Sequence, residues 1–552
     1  MTFKFLTPDV SVSGQLTEQD LVRVAASGFT AVICNRPDGE EPGQPEAAAI
    51  AAAAARHGLG FTHIPVTSGA IADADVALMR EALAGASGPV LAYCRSGTRA
   101  AMLWALVNAE TRPAADILNV ASAAGYDLTS LRPRLSVSAT PAVSAARTFD
   151  VVIVGGGSAG IATAASLLKR RPTLSVAIID PAQEHFYQPG WTLVGGGVFK
   201  PEQTRRRMAD VIPDKATWIE RAVIGFAPEA SEVHLADGST VRYGVLIAAP
   251  GVVLDFDAIP GLTEALGRNG VTCNYRFDTA PYTHELARSL RGGRALFTQP
   301  AMPIKCAGAP QKAMYLSCDI WREAGTLADT QVEFHLAGAA LFGVADYVPA
   351  LMHYVERYGI QLNFGSTLAA VDGARRIATF TRQDADGHMV RYEREFDMLH
   401  AVPPQRAPEF VRTSPLADAS GFIEVDPATL RHTRYLNVFA LGDAANTANA
   451  KTAAAARKQA PIVAVNALAV LEGREPAALY DGYGSCPLTV ERGKIVLAEF
   501  TYGGKLAPTF PKWLLNGTQP TRKAWLLKAA MLPPIYWHGM LKGREWLVSP
   551  EM

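Results

Sequence analysis

Short apolar runs alternate with helix-period stretches along the first hundred residues of this 552-residue chain. Phe29 to Cys34, Phe61 to Val66 and Val90 to Tyr93 read as strands, and Thr17 to Ser27, Pro45 to His57 and Asp73 to Ala86 as helices. The alternation predicts a small α/β domain around a sheet, over residues 1–130. The Ala-rich run Ala47 to Ala55 fits a plain packing helix, alanine being the best helix former. From Ser136 to Ala146 the pattern fades into Ser, Ala, Thr and Pro with little to bury, so residues 131–147 read as a tether. It resumes with strand Val151 to Val154, a helix to about Lys169 and strand Ser175 to Ile179, one βαβ unit. A second nucleotide-binding half starts at strand Arg294 to Thr298, so residues 148–510 are expected to hold tandem Rossmann-like halves. Residues 511–552 mix apolar positions with Trp, Tyr, Lys and Arg. That amphipathic composition suits a membrane-surface helical segment, or equally a helix closing the domain's own core.

Charge changes the picture only by exclusion. With 52 Lys and Arg against 52 Asp and Glu, no global field draws the chain to nucleic acid. The six cysteines are too few and too scattered for a secreted disulfide framework, which favours a reducing compartment. The N-terminus carries no signal-type apolar core, and no apolar run reaches the ~18 residues of a membrane span. A cytoplasmic protein, peripheral on the inner face of the plasma membrane, is the expectation. His185 and His400 have no metal-ligand spacing with other ligands, so no metal is expected.

The glycines carry the first chemistry. Gly155, Gly157 and Gly160 follow a strand and open a helix, and Asp180 lies twenty residues past the last of them. That spacing suits a tight turn, backbone approach to a pyrophosphate at a helix N-terminus, and a carboxylate for ribose hydroxyls. The second half departs from this pattern. Its strand runs into Gln299-Pro300-Ala301-Met302-Pro303, where prolines lack N–H donors for a nicotinamide pyrophosphate, so these residues argue against NAD(P)H as the electron source. Cys306 follows, before a helix with Pro310 in its first turn; that turn's unpaired N–H groups, with Lys305 and Lys312, favour thiolate. Later, Gly442-Asp443 ends a strand and Lys451-Thr452 opens a helix whose N-terminus would stabilise the charge a flavin gains on reduction, with Asp443 at its ribityl or phosphate end.

In the N-terminal domain, strand Val90 to Tyr93 runs into Cys94-Arg-Ser-Gly-Thr-Arg99, a loop whose amides and Arg99 form an anion nest for a Cys94 thiolate. It resembles the tyrosine-phosphatase-like, β-lactamase-hydrolase-like domains related to rhodaneses. Four residues separate Cys94 from Arg99, one fewer than in protein phosphatases, which favours sulfur transfer over phosphate hydrolysis. Phosphatase action, with Asp73 or Asp75 as general acid after Ser68-Gly69, and an anion-binding regulatory module are the alternatives.

From Asp150 onward the chain resembles mitochondrial-type sulfide:quinone oxidoreductases. The resemblance rests on Gly155 to Gly160, His185 to Gly197, Ala249-Pro-Gly251, Pro303 to Lys312, Leu441-Gly-Asp443, Lys451 to Ala455, and Tyr480 to Leu488. It implies FAD, held in part by Gly251, and a redox pair formed by Cys306 and Cys486. It further implies that hydrosulfide attacks Cys486, freeing Cys306 as thiolate, and that the sulfane sulfur passes to a small thiol or sulfite while a membrane quinone takes the electrons. Phe342, Phe500 and Tyr502 are the expected quinone contacts. An NADH:quinone dehydrogenase and a flavin-bearing sulfur sensor are the competing readings. Cys34, Cys273 and Cys318 read as structural.

Overall fold

The computed structural model describes residues 3–67, 71–109, 111–137, 147–548 and 550. The chain forms two compact units, one built mainly from residues 1–146 and the other from most of 147–552.

The first unit is a five-stranded sheet in the order Lys4–Thr7, Val10–Ser13, Val90–Tyr93, Ala31–Cys34, Gly60–His63. The first pair is antiparallel; the other pairings are parallel. Val90–Tyr93, buried at every position, is central. The helices Asp20–Ala26, Ala47–Arg56 and Asp73–Ala84 occupy the expected stretches, and helix Thr98–Asn108 follows the Cys94 loop. The expected tether is corrected at its start. Residues 132–137 form a helix, and Leu131 and Leu135 are buried in the first unit's core, so Leu spacing outweighs the Ser and Pro around it. Residues 138–146 and the loop Ser68-Gly69 lie outside the described residues.

In the second unit, strand Arg147–Val154 pairs in parallel with Val176–Ile179 on one side and Thr240–Ala248 on the other. Strand Val438–Ala440 joins the far side of Thr240–Ala248, which brings the Gly442-Asp443 turn to the same sheet end as the first glycine turn. The second nucleotide-binding half is a parallel sheet in the order Val271–Thr272, Met398–His400, Gly293–Gln299, Thr330–Leu336, Gln361–Phe364. Helix Ala309–Ala324 follows its central strand.

The antiparallel hairpin Gly484–Glu491 with Lys494–Phe500 pairs Cys486 with Ala498. Side chains alternate across such a ribbon. Cys486, Leu488, Val490, Val496 and Ala498 enter the core around helix Ala309–Ala324, while Ile495 and Leu497 face Leu515 and Ala524 of the C-terminal segment. That segment is therefore part of the second unit and not an appendage, which corrects the boundary at 510. It runs as helix Arg522–Leu526, a π-helical turn Leu527–Met531, a short turn at Leu532–Pro534 and a second π-helical turn Ile535–Gly539. Pro533 and Pro534 supply no N–H to an α ladder, and the wider turns accommodate them. Among the described residues no helix is long and apolar enough to cross a membrane.

Candidate functional site

Gly155 sits at φ 106°, where a Cβ would lie 2.3 Å from the Ala249 carbonyl oxygen; only glycine lets the turn pass so close. Gly160 is equally confined, its would-be Cβ running into the Gly155 carbonyl. Gly157 and Gly251 instead face open space. The turn thus combines tight packing behind with a bare backbone in front, the cradle a pyrophosphate requires. Asp180 closes its edge: one carboxylate oxygen accepts the Gly156 N–H at 2.6 Å and the other the Ala182 N–H at 2.8 Å. Across the cleft, Gly442 is positioned by its N–H on the Gln459 side chain at 2.9 Å and approaches Ala159 of the first helix.

Thr452 caps helix Ala453–Leu471, its hydroxyl accepting the Ala455 N–H at 3.2 Å. Lys451, just ahead, donates to the Ala445 carbonyl at 2.7 Å, and burial lowers its ammonium to about 8. Burial raises the Asp443 carboxyl, against the pull of Lys305 and Lys451. Lys305, Cys306 and Asp443 each retain partial exposure although desolvation acts strongly on all three. Such groups line a recess rather than the outer surface. A glycine cradle at one end and a capped helix N-terminus at the other fit an extended flavin dinucleotide.

Cys306 is fastened to that helix start. Its N–H donates to the Lys451 carbonyl at 2.7 Å, and its own carbonyl accepts the Ala309 N–H at 2.7 Å and the Tyr275 hydroxyl at 3.0 Å. It takes φ 47°, a left-handed backbone rare for a residue with a side chain. Both Cys306 and Cys486 are free thiols. Each thiol acts on the ionisation of the other more strongly than any other group does. A hydrogen bond from Cys486 is the largest influence holding Cys306 well below the ordinary thiol range, aided by Lys312 and Lys528. The same bond, with burial, pushes Cys486 up. The two thiols are thus driven apart, Cys306 downward and Cys486 upward. Lys312, 2% exposed, donates to the Cys306 sulfur at 3.2 Å. Lys305 points elsewhere, its ammonium donating to Gln188 at 2.7 Å.

Phe342 and Phe500 meet edge to face at 6.1 Å and pack against the core that holds Cys486. Tyr502 does not join them: its ring packs on Tyr480 and its hydroxyl donates to the Pro427 carbonyl. Cys273, pushed up to about 12 by burial, and Cys318 are buried.

Sequence reasoning passed over two residues of the C-terminal segment. The Tyr536 hydroxyl lies 2.6 Å from both Ser158 Oγ and His185 Nε2, and His185 Nδ1 lies 3.0 Å from the Gly156 carbonyl. Lys528 is buried, with its ammonium on the Pro189 carbonyl at 2.8 Å. Asp384, Asp386 and His388 could gather round an ion, but they lie in a hairpin turn where Asp384 already accepts the amides of the other two.

In the first unit the Gly97 N–H donates to the Cys94 sulfur at 3.2 Å. Arg99, 6% exposed, reaches the Val66 carbonyl at 2.6 Å and Glu40 at 2.8 Å, and Arg99 holds the Glu40 carboxyl down at about 2. Asp73 pairs with Arg134, and Asp75 accepts the Ala72 N–H at the helix start.

Residues 2–111 match the family model for the beta-lactamase hydrolase-like protein, phosphatase-like domain, and residues 149–281 that for pyridine nucleotide-disulphide oxidoreductases. A beta-lactamase hydrolase-like protein of Xylella fastidiosa is 43% identical over 97 residues, 18% of this chain and 22% of that protein. The X-ray structure of the sulfide:quinone oxidoreductase from Aquifex aeolicus shares the fold, with a TM-score of 0.60 at 17% identity over 72% of this chain and 92% of that one. The mitochondrial sulfide:quinone oxidoreductase of Dictyostelium discoideum is 39% identical over 397 residues, covering 71% of this chain and 86% of that protein. With that likeness, the chain belongs to the sulfide:quinone oxidoreductase family.

Proposed function

We propose that the second unit oxidises sulfide at Cys306 and Cys486 and passes two electrons by way of bound FAD to a quinone. The observation that carries this reading is the placement of Cys306, its N–H on the Lys451 carbonyl at the capped start of helix Ala453–Leu471, with the Cys486 sulfur packed against Gly308 of the same loop. Gly155, Gly157, Gly160 and Gly251 would line the pyrophosphate, Asp180 the adenosine ribose, and Asp443, Lys451 and Thr452 the ribityl and pyrimidine end. When bound, FAD would supply a two-electron acceptor for this chemistry.

In the oxidised enzyme the two cysteines form a disulfide. Hydrosulfide attacks the Cys486 sulfur; the S–S bond breaks, its electron pair leaves on Cys306, and a persulfide remains on Cys486. Lys312 stabilises the departing thiolate. A small thiol or sulfite then takes the outer sulfur, leaving two reduced cysteines. Their re-oxidation to the disulfide releases the two electrons, and the quinone collects them with two protons. Phe342 and Phe500 offer the quinone an aromatic wall. The exposed side chains of Trp513, Leu526 and Met531 would rest on a lipid surface and attach the protein peripherally.

Under anaerobic conditions sulfide should bleach the flavin absorbance, NADH should not, and a short-chain quinone should restore it. Cys306→Ser should bind FAD yet lose the bleaching by sulfide. Bleaching by NADH alone would transfer the assignment to a dehydrogenase, and bleaching by neither to a sensor.

For the first unit the proposed activity is sulfur transfer through Cys94 and Arg99, and the short loop with its amide-held sulfur supports it. The full-length protein should then make thiocyanate from thiosulfate and cyanide, an activity lost in Cys94→Ser. Hydrolysis of an aryl phosphate without thiocyanate formation would favour the phosphatase reading.

A further inference from the structure

We propose that Tyr536 is a positioning residue of the dinucleotide site, the hydroxyl through which the C-terminal segment fixes the turn that would hold the FAD pyrophosphate. The proposal rests on the reading of Gly155, Gly157 and Gly160 as an FAD cradle and adds to it a residue from an element otherwise read as a membrane contact.

The geometry is a chain of hydrogen bonds joining three distant stretches of sequence. Helix Ser158–Arg170 starts directly after Gly157, and its first amides have no intrahelical partner. On one side of Gly157 the Gly156 carbonyl lies 3.0 Å from His185 Nδ1; on the other, Ser158 Oγ lies 2.6 Å from the Tyr536 hydroxyl. The link between Tyr536 and His185 Nε2, also 2.6 Å, completes the chain. A carbonyl only accepts, so His185 Nδ1 carries the hydrogen, and the ring, which burial keeps neutral down to about pH 4, accepts at Nε2. Tyr536 has one hydrogen, and it goes to His185. Ser158 therefore donates to Tyr536. Each proton from Ser158 through Tyr536 and His185 to Gly156 has one direction, and both flanks of Gly157 are held while Gly157 itself faces open space.

The segment is fastened to the remainder of the same helix as well. Lys169 donates to the Gly543 carbonyl at 3.2 Å, Ser166 donates to Glu545 at 2.7 Å, and Arg170 pairs with Glu545 at 2.8 Å. A Cβ on Gly543 would lie 2.8 Å from the Ala165 carbonyl oxygen, so backbone runs against backbone there. The C-terminal segment thus follows the dinucleotide helix from its first residue to its last turn, with Tyr536 at the pyrophosphate end. A ligand held by the turn and a segment docked on that turn then stabilise each other, because each favours the same arrangement of Gly156, Gly157 and Ser158.

The experiment dilutes full-length holoenzyme and follows FAD release by the fluorescence that free flavin regains. Tyr536→Phe, which keeps the ring and loses the hydroxyl, should release FAD roughly five- to thirtyfold faster. Ser158→Ala should do the same, and the double variant should lose no more than the faster single one, because both remove one link. Glu545→Gln, which breaks the ion pair at the far end of the helix, should leave release within about twofold of wild type. In the wild-type protein, trypsin should cut after Lys528 and Lys542 at least about tenfold more slowly with FAD bound than after its release. Unchanged release from Tyr536→Phe, additive losses in the double variant, or release that Glu545→Gln speeds as much as Tyr536→Phe overturns the proposal. If Tyr536→Phe does not accumulate with flavin, equal cleavage of the wild-type segment with and without FAD overturns it by itself. A wild-type protein that holds no FAD would sink the functional reading, whereas FAD held by wild type and released at the same rate from Tyr536→Phe would sink only the role of Tyr536.

Discussion

Gly308 decides how closely the two sulfurs approach. A Cβ there would lie 2.4 Å from the Cys486 sulfur and 2.6 Å from a Leu488 methyl, and neither neighbour can retreat, because the hairpin behind them is packed core. Gly308→Ala should therefore push Cys486 off Cys306. The expected result is a protein that keeps its flavin but loses at least about tenfold in sulfide-dependent quinone reduction, with Cys306 alkylation shifted to higher pH as Cys486 is moved away. Unchanged kinetics would mean that the sulfurs need not touch. The sequence displays Gly308 as one letter of a motif and gives no hint that the neighbour it admits is Cys486. The same limit holds for other residues of the site. The dinucleotide glycines and Cys306 are legible because their chemistry is local to a strand, a turn and a helix start. The pairing of Cys306 with Cys486 is reached in the sequence only through a family resemblance.

At the scale of elements, the C-terminal segment is where sequence reading and structure part. Its amphipathic composition left two roles open, and the segment fills the inner one with contacts hundreds of residues away in sequence: Lys528 on Pro189, and Tyr536 on Ser158 and His185. Helical periodicity reports which face is apolar and not what covers it. Tyr536→Phe removes a hydroxyl that serves Ser158 and His185 together, and should loosen the segment by about 1–3 kcal/mol. Faster proteolysis between residues 527 and 542 would register the loss. A pH effect accompanies it. Burial lowers His185 to about 4 from an ordinary 6.5, so the folded state binds fewer protons than the unfolded state between those values. Docking should be unaffected above pH 6.5 and should weaken as pH falls through that window toward 4. His400, also lowered to about 4 by burial, titrates in the same direction, so the proteolysis profile of the segment is more specific than global melting. A segment equally resistant to protease across the window would show that Tyr536 and His185 do not anchor it.

For the whole molecule, the division into two units was visible in the composition, but its edge was not. Leu131 and Leu135 extend the first unit into the stretch read as tether, because two buried leucines at helical spacing suffice to dock a short helix amid small polar residues. The C-terminal edge of the second unit moves likewise, and this changes how membrane attachment must be tested. Deleting residues 511–552 would remove Lys528, Tyr536 and Trp537 from the interior along with any lipid contact. The informative variant alters the outer face alone. Trp513, Leu526 and Met531 are 82%, 58% and 49% exposed, so replacing all three with serine removes apolar surface already in water. Each side chain transferred to a bilayer interface contributes about 1–2 kcal/mol. The triple variant should bind vesicles of mixed anionic and neutral lipid at least about a hundredfold more weakly in co-sedimentation, with flavin content and Cys306 alkylation as measures of an intact interior. Vesicle binding equal to wild type would place the lipid contact elsewhere on the second unit, and leave the exposed tryptophan and its neighbours to another partner.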